Sequence, residues 1–401
     1  MNPDMSLLQP YPFERLATLF RDITPPANLH EIALSIGEPR HTTPGFIAEA
    51  LLEHLHGLSR YPLTRGSTEL RSAIADWLTQ RFALPGVDPE TQVLPVNGTR
   101  EALFALAQCI VDRTARPVVA MPNPFYQIYE GAALLAGAEP YFMATTRATA
   151  YRPDLDAVPD SVWARCQLVY ICTPGNPSGA VMPLEQLQTL IELADRHDFV
   201  IASDECYSEI YPDDAVPPPG LLQAAAAMGR NDFRRCLVFH SLSKRSNVPG
   251  LRSGFVAGDA ELAAAFLRYR TYHGCAMPPA TQAASVRAWQ DERHVQDNRL
   301  RYSEKFTAVL DILSPYLDVH APEAGFYLWP QTPGDDTEFA RDLWKQQHVK
   351  VLPGSYLSRS CNGENPGKNH VRMALVAPLE DCIEAANRIK SCLQSLQSPV
   401  R

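Results

Sequence analysis

The sequence predicts an α/β protein with a large domain built on a mostly parallel central sheet and a smaller α+β domain beside it. Two observations predict this. In the middle of the chain, short runs rich in Val, Ile and Phe alternate with segments of helical periodicity. From about residue 291 onward the regular alternation of strands and helices ends, and a long polar helix precedes two isolated strand-like runs. The chain has 401 residues, 45% of them hydrophobic, and is long enough to form two such domains.

The predicted sheet rests on apolar runs separated by amphipathic helices. The segment 101–111 places Leu103, Ala107 and Ile110 on one helical face, and the segment 184–196 has a similar apolar stripe. Strands that are apolar throughout and alternate with helices are typical of a parallel sheet covered on both faces. The predicted strands cover residues 92–96, 117–121, 166–172, 199–203, 236–239 and 253–257.

The large domain is predicted to span residues 41–290, and the small domain to combine residues 1–40 with 291–401. The N-terminal residues are assigned to the small domain because they precede the α/β pattern and carry a strand-like run of their own. The predicted small-domain elements are strands at 31–35, 325–329 and 370–376 and a closing helix at 379–396.

Composition excludes several function classes. The net charge of −9 argues against a nucleic-acid surface, and no apolar run approaches the ~18 residues of a membrane span. The N-terminus lacks the basic and apolar regions of a secretory signal. The nine cysteines are irregularly spaced without a CxxC pair, which indicates reduced thiols and a cytoplasmic protein. No metal site is predicted, and no phosphate-binding GxxxxGK[ST] or GxGxxG motif occurs.

Polar groups follow several of the predicted strands, and the carboxyl ends of parallel strands meet at one edge of a sheet. Taken singly, each group has an ordinary explanation as a helix cap, a tight turn, a polar strand end or a solvated cation. Together they are difficult to attribute to chance. In chain order they are the possible anion site Gly98–Thr99–Arg100, the turn containing Asn176, the carboxylate of Asp204, and Lys244 preceded by Ser241 and Ser243.

The lysine is the most informative member of this set. Lys244 follows the apolar run 236–239, so its amine is expected near the interior, where desolvation makes an amine nucleophilic. A lysine for an imine, a carboxylate for a ring nitrogen, donors for a ring oxygen and an anion cup are what pyridoxal 5′-phosphate requires. The sequence therefore predicts an enzyme with this cofactor.

Four motifs give the chain a close resemblance to the fold-type I, class I/II aminotransferases over roughly residues 30–395. They are GEP at 37–39, NPSG at 176–179, the pair Asp204 and Tyr207, and SLSKRSNVPGLRSG at 241–254. The resemblance implies the fold-type I PLP-transferase fold and the transfer of an amino group between amino-acid and 2-oxo-acid substrates.

The same resemblance implies roles around the cofactor. Lys244 would bind it covalently, Asp204 would pair with its pyridine nitrogen, and Asn176 and Tyr207 would bind its ring oxygen. Tyr126 would stack on the ring, although the neighbouring Phe125 is an alternative for this position. The residues implied for the phosphate are Gly98, Thr99, Arg100, Ser241, Ser243 and Arg252.

Further implied roles concern the substrate and a second subunit. Arg372 resembles the arginine that binds the substrate α-carboxylate, with help from the Gly37 backbone and Asn176. A guanidinium suits this role because its planar fork matches a carboxylate bidentately. Tyr61 resembles a tyrosine that reaches the phosphate of a partner subunit, which implies a homodimer with shared sites.

Within the family, segments 8–16 and 244–252 resemble bacterial N-succinyl-L,L-diaminopimelate aminotransferases. This implies exchange of an amino group between glutamate and the 6-oxo form of N-succinyl-2-aminopimelate in lysine biosynthesis. Such a substrate needs cations far from its reacting carbon, and Arg40, Arg65 and Arg245 are the candidates. Tyr11 and Phe13 are expected to pack against the fold rather than to contact a ligand.

Other functions stay open from the sequence. The enzyme could transaminate aspartate, alanine or an aromatic amino acid, or could be a PLP-dependent C–S lyase that catalyses β-elimination. From a different class, the fold could be the effector-sensing module of a transcription regulator. That function needs a DNA-binding domain, and the ~40 residues before the fold contain no basic recognition helix.

Overall fold

The structure is a computed structural model that describes residues 1–212, 214–361 and 363–397. Its α-helices are α1 (Pro12–Phe20), α2 (Gly45–Glu53), α3 (Thr68–Arg81), α4 (Thr99–Ile110), α5 (Ile128–Leu135), α6 (Asp160–Trp163), α7 (Leu184–His197), α8 (Leu221–Ala227), α9 (Leu242–Arg245), α10 (Ala260–His273), α11 (Pro279–Gln290), α12 (Arg293–Leu313), α13 (Asp336–Gln347) and α14 (Leu379–Gln397). Its strands are β1 (Ile32–Ala33), β2 (Val93–Val96), β3 (Val118–Asn123), β4 (Glu139–Ala144), β5 (Cys166–Cys172), β6 (Val200–Asp204), β7 (Cys236–Ser241), β8 (Gly254–Gly258), β9 (Tyr327–Leu328), β10 (Val349–Lys350), β11 (Leu352–Pro353) and β12 (Val371–Ala374).

A seven-stranded sheet in the order β2-β8-β7-β6-β5-β3-β4 forms the centre of the protein. The neighbouring strands β7, β6, β5, β3 and β4 are parallel to one another, whereas β8 runs antiparallel to both β7 and β2. Apolar strands such as β5 and β7 are buried along almost their whole length, since helices cover both faces of the sheet. The predicted fold class, with its mostly parallel central sheet, is confirmed.

Two features of this sheet were not predicted. The edge strand β4 has the sequence EPYFMA, in which one exposed and four half-buried residues give no clear apolar run. Its Pro140 is tolerated because an edge strand has one side without a hydrogen-bonded neighbour. The reversed direction of β8 also leaves no mark on the sequence, since its residues are as apolar as those of the parallel strands.

Small-domain elements pack around a separate apolar core. Leu16 and Ile32 from the N-terminal residues share this core with Leu313, Leu343 and Ile389. The three-stranded antiparallel sheet β11-β12-β9 lies here, and β1 pairs in parallel with β10. This packing supports the proposed grouping of residues 1–40 with the C-terminal part of the chain.

Within the described residues, the helices include none that is long and apolar enough to cross a membrane. The nine cysteines are free thiols, and those in β5, β7 and α14 include several that are buried. A search of the same described residues finds no cluster of His, Cys, Asp and Glu suited to a metal ion.

Gly258 ends β8 with a φ of 141°, and a Cβ at this position would lie 2.0 Å from the Cys236 carbonyl oxygen. We expect Gly258→Ala to lower the free energy of unfolding by about 2 kcal/mol or more, because both the backbone conformation and the contact would be strained. Urea denaturation measures this change. The matched control is Gly334→Ala, since a Cβ there would meet nothing within 4 Å. Equal stability of the two variants would contradict the expectation.

Candidate active site

A cavity of about 550 Å³ lies where β5, β6 and β7 end. The last residues of these strands, Cys172, Asp204 and Ser241, all line it. Small-domain residues close its other side. The sequence-predicted site residues that line the cavity are Gly37, Thr99, Arg100, Tyr126, Asn176, Asp204, Tyr207, Ser241, Ser243, Lys244, Arg252 and Arg372.

Lys244 lies in the single turn of helix that follows β7, and its amine reaches across the cavity to the small domain. Nζ donates a hydrogen bond to the Gly37 carbonyl oxygen at 2.5 Å. The pKa of Lys244 is lowered from 10.5 to about 8, chiefly by burial; Arg372 and Arg252 contribute to the decrease, and Cys206 and Glu38 oppose it. A substantial fraction of the amine is therefore uncharged near neutral pH and available as a base or nucleophile.

Asp204 ends β6 as a buried carboxylate held by two donors. The Tyr129 hydroxyl donates to Oδ2 at 2.7 Å, and the Cys206 backbone N–H donates to Oδ1 at 3.3 Å. Burial raises the pKa of Asp204, whereas these hydrogen bonds and the nearby His240 oppose the rise. A cation placed beside this carboxylate would restore its charge, so the site suits a protonated ring nitrogen.

An anion cup forms between the start of α4 and the loops after β7. Gly98 caps α4 with a φ of 86°, and a Cβ there would lie 2.2 Å from Nη2 of Arg252. The Ser241 Oγ accepts the Ser243 N–H at 3.1 Å, and Arg252 itself has a left-handed backbone with φ 54°. Free amides at the helix start, two hydroxyls and a guanidinium are suited to a phosphate.

Arg372 projects from β12 and joins the two sides of the cavity. Its Nη1 donates to Asn176 Oδ1 at 2.9 Å, and its Nη2 donates to the Ser35 carbonyl oxygen at 2.7 Å. Its buried Nε has no hydrogen-bond partner among the described residues. The guanidinium lies over the ring of Tyr327, 4.5 Å from the ring centroid. The arginine is thus held rigidly with donor capacity left for a carboxylate.

Tyr207 and Tyr327 form part of the cavity wall. Their hydroxyl oxygens are 2.9 Å apart, and both side chains are buried. The Tyr327 ring also explains the glycine at position 37, because a Cβ there would lie 2.1 Å from the Tyr327 hydroxyl. Only glycine lets the backbone of this segment approach the cavity so closely.

Residues 30–389 match the family described as aminotransferase class I and II. The chain is a class I/II aminotransferase. The resemblance drawn from the four motifs is confirmed at this level, as is the dependence of the enzyme on pyridoxal 5′-phosphate, which the family uses as its cofactor.

The aminotransferase is similar to relatives whose names differ in the substrate that they give. An LL-diaminopimelate aminotransferase from Desulforudis audaxviator is 31% identical over 96% of both chains. The solved structure of an aminotransferase from Neisseria meningitidis is 50% identical, covers 98% of this chain and 99% of its own, and has a TM-score of 0.94. A probable N-succinyldiaminopimelate aminotransferase from Thermus thermophilus is 26% identical, with 95% and 98% coverage and a TM-score of 0.83.

The residues present in the aminotransferase fit the cofactor. The cavity combines a desolvated amine at Lys244, a buried carboxylate at Asp204 and a cup in which a Cβ on Gly98 would collide with Arg252. Cup and carboxylate provide the two kinds of contact that a phosphorylated pyridine needs at its ends. Lys244 is the nucleophile that could bind its carbonyl carbon.

Several predicted residues lie elsewhere. Tyr61 is fully exposed in this chain and does not line the cavity. Arg40 and Arg65 are also absent from the lining, and Arg65 bonds the Glu90 carbonyl oxygen. Arg245 is buried and donates to the Ala288 carbonyl oxygen at 2.6 Å.

The suggestion that these three arginines contact the substrate gains no support within this chain, and for Arg245 it is wrong. Burial between other elements of the fold leaves that side chain no access to the cavity. Tyr11 and Phe13 both line the cavity, and Phe13 also packs against the small-domain core, in line with the expectation that it packs against the fold.

Tyr129 and Tyr327 were missed by the sequence reasoning. A signal for Tyr129 exists, because it follows Tyr126 by only three residues across the start of α5, and the two ring centroids are 5.8 Å apart. For Tyr327 the run GFYLW indicates a strand but not which side chain faces the cavity. Only the packing of the small domain decides that.

We expect Tyr129→Phe to lower kcat by about tenfold, because a hydrogen bond to a charged group contributes about 1.5–3 kcal/mol and helps to keep Asp204 ionised. Steady-state kinetics measure the loss. Tyr170→Phe is the matched control, since Tyr170 is an equally buried tyrosine stacked on Tyr129 whose hydroxyl donates to the Leu103 carbonyl oxygen. A kcat for Tyr129→Phe no lower than that of the control would disprove this role.

The lowered pKa of Lys244 predicts the pH dependence of cofactor uptake by the apoenzyme. The amine attacks only when unprotonated, so the rate should rise with pH up to about 8 and then level off. Stopped-flow measurement of visible absorbance follows the uptake, with Lys244→Ala as a control that should not develop it. A rate that continues to rise toward pH 10.5 would show an unperturbed lysine.

Proposed function

We propose that this aminotransferase exchanges an amino group between glutamate and N-succinyl-2-amino-6-oxopimelate, and so makes N-succinyl-L,L-diaminopimelate in lysine biosynthesis. The observation that carries the proposal is the cavity rim at the exposed Arg100, which contacts Tyr126, while Tyr11 and Phe13 also line the cavity. The names of the relatives support a diaminopimelate-type substrate.

Bound pyridoxal 5′-phosphate supplies an electrophilic carbonyl and a ring that accepts electrons from the substrate Cα. In this proposal Lys244 would hold the cofactor, and its freed amine would move a proton to and from the substrate Cα. A pKa of about 8 suits both duties, because the amine can accept and return a proton near neutral pH.

Asp204 would keep the ring nitrogen of the bound cofactor protonated. Its carboxylate is fixed by Tyr129 and by the Cys206 N–H, so it adds charge without having to reorganise. Asn176 and Tyr207, which both line the cavity, would donate to the ring oxygen. Tyr207 has a partner hydroxyl at Tyr327, which supports its orientation.

Arg372 binds the α-carboxylate that all amino-acid substrates share. Its bonds to Asn176 and to the Ser35 carbonyl oxygen orient the guanidinium before a ligand arrives, which lowers the entropy lost on binding. The Gly37 backbone forms the neighbouring wall. The phosphate is assigned to the amides of Gly98–Arg100, to Ser241 and Ser243, and to Arg252, while Tyr126 stacks on the ring.

The rim distinguishes among amino acids. Arg100 donates from Nε to the Tyr126 hydroxyl at 2.6 Å and so lies along the rim, although its backbone belongs to the anion cup. The carboxylate of the succinyl group, which free diaminopimelate lacks, could pair with this guanidinium. The rings of Tyr11 and Phe13 give the methylenes of a succinyl group an apolar surface.

Free L,L-diaminopimelate is the second candidate, because relatives of about 30% identity carry that substrate in their names. Its distal end differs by an ammonium group in place of the succinyl amide. Glu38 lines the cavity and is the acidic residue that could receive this ammonium. The N-succinyl substrate would therefore depend on Arg100, whereas free diaminopimelate would depend on Glu38.

The proposal includes a homodimer. Tyr61 stands fully exposed beside Leu58 and Leu63, which are about 70% exposed, and this apolar surface is continuous with an open groove at Pro279. A covering subunit would bury these side chains and could bring Tyr61 to the partner's phosphate cup.

A panel of amino donors, run in the reverse direction with 2-oxoglutarate as acceptor, tests the proposal. We expect kcat/KM for the N-succinyl substrate to exceed that for the free diaminopimelate substrate by at least about tenfold, since a charge-assisted contact contributes about 1.5–3 kcal/mol. Arg100→Gln should remove most of that preference. Arg40→Gln is the control, because Arg40 does not line the cavity.

Two outcomes would overturn the substrate assignment. An equal or greater kcat/KM with free diaminopimelate would favour the second candidate, and Glu38→Gln should then impair it. Release of pyruvate from cystathionine without a 2-oxo-acid acceptor would instead identify β-elimination.

A further inference from the structure

The segment 245–247, which directly follows the catalytic lysine, has no part in the proposed chemistry. Its three side chains all turn toward the start of α12, where in chain order they contact Glu292, His294 and Asn298. Each of these contacts is a hydrogen bond, and the segment itself is buried. The turn that carries Lys244 is therefore attached through polar contacts to a helix at the start of the C-terminal region.

Asn298 is the residue at which these contacts meet. It is 2% exposed, and its Oδ1 accepts from His41 Nδ1 at 2.8 Å and from Asn247 Nδ2 at 3.0 Å. Its Nδ2 donates to the backbone carbonyl oxygen of Lys244 at 3.3 Å. One buried amide thus connects the lysine's own backbone to His41.

The contacts of His41 define its tautomer. Asn298 Oδ1 can only accept, so Nδ1 of His41 carries the proton, and Nε2 accepts from Lys305 Nζ at 2.7 Å. Burial, aided by the charges of Lys305 and Arg301, lowers the pKa of His41 to about 4 despite the opposing Asn298 hydrogen bond. The ring is consequently neutral and keeps this arrangement at neutral pH.

His41 belongs to the segment 37–43, whose first two residues, Gly37 and Glu38, line the cavity. Gly37 is bonded to Lys244 Nζ, but Nζ is the atom that the reaction uses, so this bond cannot persist in every step. Two other hydrogen bonds connect this segment to the surroundings of Lys244 without using Nζ. They are the His41–Asn298 bond and the bond from Thr43 Oγ1 to the Asn247 carbonyl oxygen at 3.1 Å.

We propose that Asn298, acting through His41, is a positioning residue that keeps segment 37–43 in register with Lys244 while the lysine amine takes part in the reaction. The inference rests on the functions proposed for Lys244 and Gly37. It does not depend on which amino acid is the substrate, because the Gly37 backbone is assigned to the α-carboxylate end that all amino acids share.

Two substitutions of His41 separate its two hydrogen bonds. The amide N–H of Asn lies close to the position of Nδ1, so His41→Asn can keep the bond to Asn298 and lose the one to Lys305. Gln reaches the position of Nε2, so His41→Gln can keep Lys305 and lose Asn298. A purely structural anchor would be disturbed by either change.

The readout is the single-turnover rate with the amino donor that the wild-type holoenzyme uses best, together with kcat, KM and thermal unfolding. We expect His41→Gln to lower kcat/KM by about tenfold and His41→Asn by less than about threefold, because misplacement near reacting atoms slows a step strongly. Equal losses, no loss in either variant, or a larger loss in His41→Asn would overturn the proposal.

Asn298→Asp provides a second measurement if His41→Gln fails to fold. Aspartate has the same shape and keeps both acceptor contacts, but it cannot donate to the Lys244 carbonyl oxygen. We expect about a tenfold loss of kcat/KM for this variant as well, by the same misplacement. A value within about threefold of the wild type would contradict a positioning role for Asn298.

Discussion

The register in which β5, β6 and β7 end is the constraint on which the rest of the site depends. Cys172, Asp204 and Phe239 are register partners in one row across these parallel strands. Side chains alternate between faces along a strand, so a shift of one residue would turn Asp204 to the other side of the sheet. The strands are apolar and buried on both faces, so a shift that drew their polar ends inward would place polar groups in the apolar core.

Desolvation then acts on two groups in opposite directions. The same buried surroundings lower the pKa of Lys244 and raise that of Asp204, since each group is less favourable there in its charged form. Arg252 and Arg372 add positive charge near the lysine. The cavity is therefore matched to ligands that bring anionic groups with them, as a phosphorylated cofactor and an amino acid both do.

The sequence predicted much of this site because its groups come from strand ends in chain order. Lys244, Asp204 and Asn176 lie within short motifs, and their strands are apolar enough to be recognised. The predictions were weaker for strands whose presence or direction is determined by tertiary packing. The edge strand β4 lacks an apolar pattern, and the direction of β8 depends on its neighbours rather than on its own residues.

The same limit explains the errors over individual side chains. Arg245 looked like a candidate for the substrate because a charged residue near a motif is expected to be accessible. Its surroundings come from α11 and α12, far along the chain, and no local pattern shows that they enclose it. Tyr11 and Phe13 line the cavity for a similar reason, since the position of α1 is determined by its packing against α13 and β11.

The rigid hold on Arg372 has a consequence for stereochemistry. The guanidinium is fixed to Asn176 and Ser35, and the lysine amine approaches from the turn after β7, so the two groups that would contact an amino acid have fixed relative positions. An amino acid bound through its carboxylate and its nitrogen can then direct its Cα hydrogen toward Lys244 in only one of its mirror-image forms. Selection of one enantiomer would follow from the geometry of the protein alone, without any contact to the side chain of the substrate.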